Sequence, residues 1–376
     1  MELPRPDPAL PHLADVAPSV LAAMGVPGFT PTIELPHDVA GACVLLIDGL
    51  GAELLDAHAA DAPVLAGLRG RTLQVGFPAT TAAGLAAVGT GCRSGEHGMV
   101  GMSFRLPDVG VINALRWSPH PFGADLRDIA IPESVQPRPT VFERAASVGV
   151  AVSVISAAQF AGSGLTRAVL RGGSYVGVHA MGDLAATIGS AVGRGFCYGY
   201  HADLDLVGHL HGPGSRAWRL QLRQVDTMVG SIIEGLPSGT LLAVVADHGM
   251  VALDDSAIDI DTVGALADGA EAVGGEVRAR HIYTRAGATP DVLAAWRGVL
   301  GERAWVVTGE EAISAGWFGE HVTDDVRARI GDVVAAARGA SGMLRRAAEP
   351  IESSLVGQHG SVTDAEQRIP LLLAYG

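Results

Sequence analysis

Asp48, Asp205, His209, Asp247, His248 and His359 are the side chains of this sequence best suited to hold metal ions. Each lies at or just beyond a stretch that reads as a β-strand. "CVLLIDGLG" ends in Asp48, "FCYGYHADLDLVGH" carries Asp205 and His209, "LLAVVADHGM" ends in Asp247 and His248, and "GQHGSVT" carries His359. Strands of a parallel sheet deliver their C-terminal ends to one edge, where ligands bind, so residues distant in sequence can converge there. Three Asp and three His make two sites of mixed oxygen and nitrogen ligands, a composition suited to a pair of zinc ions. Asp203 and His211 compete with Asp205 and His209 within "DLDLVGHLHGPGS". Adjacent Asp247 and His248 can serve one site only if the chain turns sharply, which Gly249 allows.

A hydroxyl completes the chemistry. In "FPATTAAGLAAVGTGCRSGEHG" a strand ends near Phe77-Pro78, and a helix of small residues begins near Thr80 or Thr81. Free N–H groups at a helix N-terminus favour an anionic phosphorus centre. A Thr hydroxyl becomes a competent nucleophile when a metal activates it. The plainer reading makes Thr80 or Thr81 only the N-cap of that helix. His37, His58, His97, His120, His179, His201, His281 and His321 read as structural or surface histidines.

These side chains need a scaffold of alternating elements. From Gly41 onward, apolar strands alternate with helical stretches, the pattern of βαβ units and a mostly parallel sheet. Strands are expected over 42–47, 73–77, 150–155, 196–200, 240–246 and 369–375. Trp218, Leu222, Val225, Val229, Ile232, Ile233 and Leu236 recur at helical spacing over 215–236, with Ser215 placed to cap the helix. The fold class is therefore α/β, a mostly parallel central sheet flanked by helices with a small inserted α+β cap. Residues 1–40 read as a lead-in with one short helix near Ala14 to Met24, 41–261 with 326–376 as the core, and 262–325 as the cap.

The bulk composition agrees. The chain has 376 residues, of which 48% are hydrophobic and 18% charged, so a large core is feasible. Net charge is −14 and every basic residue other than His is Arg. Without a basic stripe, long nucleic acid is an unsuitable partner. A small phosphate ester is not excluded, because two bound dications would reverse the local field. Cys43, Cys92 and Cys197 show no paired spacing, and Cys43 and Cys197 read as buried thiols. The N-terminal segment "MELPRPDPALPHL" lacks the basic and apolar regions of a signal peptide, and no apolar run reaches the roughly 20 residues that span a membrane. A cytoplasmic protein without membrane partners is the expectation. Oligomeric state leaves no mark in the sequence.

The ordered set "LLIDGLG", "FPATT…GTG…GEHG", "DLDLVGHLHGPGS", "ADHGM" and "GQHGSVT…IPLLL" resembles the alkaline phosphatase superfamily, and most closely its type I phosphodiesterase/nucleotide pyrophosphatase branch. The resemblance covers nearly the whole chain after the lead-in. It implies a metal-dependent hydrolase of small phosphodiester or phosphoanhydride substrates, nucleotides among them, working through a covalent phospho-threonine. Related hydrolases of phosphonates or phosphomonoesters share the scaffold, and an idle metal- or nucleotide-binding member is the non-enzymatic alternative. The family's nucleophile precedes its Thr-Gly pair by nine positions, with the His-Gly pair seven further on. Counted from Thr90 and His97, that implies Thr81. By the same resemblance, Asp205, His209 and His359 hold one ion, and Asp48, Asp247, His248 and the Thr81 oxygen hold the other. Gly84 is a departure, since the family commonly places there an Asn that donates to the phosphoryl oxygens; the backbone N–H of Ala82 is a substitute donor. Elemental analysis of the metal-reconstituted protein should find about two equivalents of divalent metal per chain; none bound would refute the two-site reading.

Overall fold

The computed structural model describes residues 2–376. Seven strands form the central sheet: β1 (Gly41–Ile47), β2 (Arg69–Gln74), β3 (Val152–Ala157), β4 (Ser174–Val178), β5 (Phe196–His201), β6 (Thr240–Val245) and β7 (Arg368–Tyr375). Their spatial order is β2-β7-β6-β1-β5-β3-β4, and every neighbouring pair is parallel except the two that β7 makes. The most apolar runs lie at the centre. "GACVLLI" of β1 and "TLLAVV" of β6 are buried throughout, as strands covered by helices on both faces must be. Cys43 and Cys197 face each other across the β1–β5 ladder as buried free thiols.

The helices that bear on the site and its sheet include α1 (Val16–Ala23), α2 (Thr81–Thr90), α3 (Met181–Val192), α4 (Asp203–His211) and α5 (Arg216–Glu234). Helix α5 follows its apolar spacing: Trp218, Leu222, Val225, Val229 and Ile232 are buried, and Ser215 Oγ accepts the N–H of Trp218 at 3.2 Å. No helix among the described residues is long and apolar enough to cross a membrane.

A second sheet is wholly antiparallel, in the order 270–276, 279–284, 333–337, 304–308. It packs with the helix Thr289–Leu300 around a core of its own, which includes Ile282, Trp296, Leu300, Val306 and Val333. The runs "VRARHIYTR", "TPDVLAAWRGVLG" and "RAWVVTG" form its strand, helix and strand as expected. Its fourth strand, Val333–Ala337, lies past residue 325.

Three readings need correction. The expected strand 73–77 is displaced to 69–74. Its first half, "RGR", is exposed on an edge strand and so lacks an apolar pattern, while Phe77 leaves the ladder to donate to Trp317 O. Strand β4 was not legible at all, because this outer strand is largely solvent-facing. The His359 segment is not a strand of the central sheet. Gly357–Gln358 pairs antiparallel with Val251–Ala252, and His359 follows in a loop. Ser215→Ala should destabilise the fold by about 1 kcal/mol, the usual cost of a lost N-cap. A thermal melt indistinguishable from that of the unaltered protein would show that the cap contributes nothing.

Candidate metal centre and nucleophile

The strand order places the site. β1 lies between β5 and β6, all three are parallel, and their C-terminal ends open at one edge. Asp48 leaves β1 there, and Asp247 and His248 follow β6. Asp205 and His209 sit beyond β5 on helix α4, one turn apart, and this i,i+4 spacing turns both toward the same point. The His359 loop crosses the same edge: Ala79 N–H donates to Gly360 O at 3.1 Å, tying it to the segment before α2.

Six ligand-type side chains gather in two groups, Asp205–His209–His359 and Asp48–Asp247–His248, the ligand atoms of each lying within 4.8 Å of one another. Asp203 and His211 belong to neither group. The first group is partly open to solvent and the second is buried.

Each histidine is oriented by its other ring nitrogen. Nδ1 of His209 lies 2.7 Å from Gly357 O, Nδ1 of His248 is 3.0 Å from Gly249 O, and Nδ1 of His359 is 2.9 Å from Ala79 O. A carbonyl can only accept, so Nδ1 carries the proton and Nε2 presents a lone pair to the centre. Those lone pairs crowd together. His209 Nε2 is 3.2 Å from His359 Nε2 and 3.2 Å from Asp205 Oδ2. His248 Nε2 lies 3.4 Å from Asp48 Oδ1, 3.6 Å from Asp247 Oδ2 and 3.3 Å from Thr81 Oγ1. Asp48 Oδ1, Asp205 Oδ1 and Asp247 Oδ2 are buried without a hydrogen-bond partner. A tetrahedral ion with bonds of about 2 Å separates its ligand atoms by roughly 3.3 Å. The spacing, the inward lone pairs and the orphaned oxygens therefore fit a divalent ion in each group.

The electrostatics agree. Burial, then the Asp247 and Asp205 charges, push the Asp48 carboxyl well above its usual range. Burial also raises Asp247. Burial lowers His359, with His248 adding to it. Burial works against charge on Asp205 and His209 too, yet each stabilises the other's ionised form, so Asp205 falls and His209 rises. A dication in each group would relieve this crowding.

The two adjacent threonines diverge. Thr80 is the N-cap residue of α2, but its side chain makes no capping hydrogen bond. It is buried, and its hydroxyl lies on the side of the Glu276 carboxyl. Thr81 is half-buried, and its hydroxyl faces His248. Sequence reasoning missed Tyr200, whose hydroxyl donates to Asp48 Oδ2. Its place in β5, opposite Leu46 of β1, was the available signal. Among the histidines read as structural, His97 accepts from Met99 N–H and His281 bridges Val100 O and Gly331 N–H. Phe104 and Trp117 are buried in the core.

Residues 42–362 match the family model "Type I phosphodiesterase / nucleotide pyrophosphatase". The chain belongs to that family. With it comes membership of the alkaline phosphatase superfamily, whose phosphodiesterases and pyrophosphatases are hydrolases of phosphoester bonds and depend on metals. Comparison with curated proteins found no match. Among solved structures, murine ectonucleotide pyrophosphatase/phosphodiesterase 5 is similar with a TM-score of 0.68 at 18% identity, over 89% of this chain and 88% of that one. An inactive threonine-to-alanine form of that murine protein, in complex with AMP, gives 0.66 at 18% identity, over 89% and 87%. Phosphonoacetate hydrolase from Sinorhizobium meliloti 1021, in complex with phosphonoformate, gives 0.67 at 18% identity, over 89% and 90%.

The family's Asn has no room in this chain. A Cβ on Gly84 would lie 2.4 Å from Asp247 Cβ and 3.0 Å from its Cα, so α2 packs directly on a residue of the buried group. Gly84→Ala gains about 1 kcal/mol of helix propensity but overpacks a fully buried contact at a typical cost of 1–3 kcal/mol. Net destabilisation is expected, with metal affinity down roughly tenfold or more as Asp247 shifts. Calorimetric titration with metal checks this, and unchanged affinity would show that the contact does not set Asp247.

Proposed function

We propose that this protein is a phosphodiesterase/nucleotide pyrophosphatase that cleaves small phosphodiester or phosphoanhydride substrates at a two-zinc site, through a covalent phospho-Thr81 intermediate. The carrying observation is the Thr81 hydroxyl at the N-terminus of α2, 3.3 Å from His248 Nε2 of the buried ligand group. Asp205, His209 and His359 would hold one ion, and Asp48, Asp247, His248 and the Thr81 oxygen the other. Bound divalent ions would supply the charge that neutralises phosphoryl oxygens and lowers the pKa of a hydroxyl or a water.

The chain's own groups do the rest. Thr81 Oγ attacks phosphorus as its hydroxyl proton passes to solvent, and the bond to the leaving oxygen breaks, with that oxygen taking a proton from solvent. Water then attacks the phospho-threonine, its oxygen staying on phosphorus as hydroxyl while the Oγ–P bond breaks and Thr81 Oγ takes up the other proton of that water through solvent. The free N–H groups of the first turn of α2, that of Ala82 included, face the developing charge in place of the family's Asn. Tyr200 and the three backbone carbonyls hold the ligands in orientation throughout.

AMP bound to the inactivated murine relative supports a nucleotide-type substrate. A second reading, phosphonate hydrolysis, draws on the phosphonoacetate hydrolase of similar fold. The absence of Lys favours diesters over dianionic substrates, which need more positive charge. A panel of diesters, nucleotide anhydrides, monoesters and phosphonates, assayed on zinc-reconstituted protein, separates these readings. In the same assay, Thr81→Ala should lower kcat/KM by roughly 10⁴-fold, while Thr80→Ala remains active. A folded, zinc-loaded Thr81→Ala protein that turns over normally beside an inactive Thr80→Ala would reverse the assignment.

A further inference from the structure

The hairpin turn joining the first two strands of the second sheet, Glu276–Val277–Arg278, reaches the flanks of Thr81, His248 and His359. Glu276 is buried and its carboxyl accepts the N–H of Met102 at 3.1 Å. It packs against Gly360, where a Cβ would fall 2.8 Å from Glu276 Cγ, and it meets the Thr80 hydroxyl. One contact therefore adjoins His359 and the other adjoins Thr81.

Two residues on, the Arg278 guanidinium is fully buried. Its Nε lies 3.0 Å from Glu366 Oε1 and its Nη2 2.6 Å from Oε2, while Nη1 donates to Ser341 O at 2.5 Å. Glu366 is itself a branch point. Its Oε1 accepts the N–H of Ser361 at 2.9 Å and its Oε2 the Thr363 hydroxyl at 2.5 Å. Its backbone carbonyl accepts the N–H of Gly249 at 2.8 Å. The side chain thus holds the loop two residues past His359, and the main chain holds the residue after His248. Those two imidazoles stack with centroids 3.6 Å apart and planes at 16°, an arrangement that a shift of either loop would break.

We propose that this turn and Glu366 form a positioning clamp, by which the second sheet keeps the His248 and His359 loops in register with Thr81. The inference rests on reading the two ligand groups as metal sites. Replacing a buried ion pair with uncharged groups is often close to neutral in stability. The bidentate pair therefore contributes geometry, with both partners fixed on both sides of the site. Arg278, Glu366 and Glu276 touch no reacting atom in this account; they act through the loops they hold.

The test uses the double variant Arg278→Met/Glu366→Gln, which removes both charges together. The metal-free protein should melt close to the unaltered one. Affinity for Zn2+, measured by competition with a chelator, should fall about 10- to 100-fold, the usual effect of losing a group that orients metal ligands. The visible spectrum of the Co2+ form should change as well. Unaltered affinity and an unaltered Co2+ spectrum in the folded double variant would overturn the clamp. If the double variant does not fold, Arg278→Lys carries the same measurement. It keeps the charge and loses the planar fork, so weakened binding supports the clamp and equal binding overturns it. Failure of the unaltered protein to bind Zn2+ would instead sink the metal-site reading, and this inference with it.

Discussion

Three carboxylates and three imidazole lone pairs share one largely buried space, and the rest of the site is built around that crowding. Without a cation the groups oppose one another: burial raises Asp48 and Asp247 and lowers His359, while Asp205 is lowered and His209 raised by each other against the effect of burial. Divalent ions in the two groups would turn this repulsion into coordination. Every imidazole is already oriented for that, tied by Nδ1 to a backbone carbonyl.

Holding such a set requires a stiff frame. The central sheet provides it for Asp48, Asp247 and His248, which follow the paired strands β1 and β6 directly. Asp205 and His209 gain the same rigidity from one helical turn. His359 has no ladder of its own beyond a two-residue bridge, so other groups must fix its loop. Ala79 and Glu366 both do so. The helix carrying Thr81 meets the frame at Gly84, where contact with Asp247 leaves no space for a side chain. A position that looks like the loss of a phosphoryl donor in sequence is, in space, the point where helix α2 touches Asp247.

Buried charge elsewhere is also paired. Glu349 lies between Arg280 and His120; burial alone would raise its carboxyl, but those partners bring it down to about 2. Such pairs link the second sheet to the loops around the site, and they account for two of the fully buried arginines, Arg278 and Arg280. A chain whose only permanently cationic side chain is Arg places several of them where a planar fork can satisfy a buried carboxylate at two points.

The sequence by itself determined the central strands, helix α5 and the six ligand-type residues. Short apolar runs bounded by turn residues read as buried strands, helical spacing marks one face, and Asp48, Asp247 and His248 just past such strands lie at the edge where ligands bind. It could not reveal β4 or the start of β2, because outer strands facing solvent carry no apolar pattern. Nor could it choose between Thr80 and Thr81 from local chemistry, since both precede the same helix. Their different partners, Glu276 and His248, come from segments far away in the chain. Tyr200, Glu366 and Arg278 were silent for the same reason. Their roles are hydrogen bonds to residues distant in sequence, and only tertiary packing decides which donor meets which acceptor.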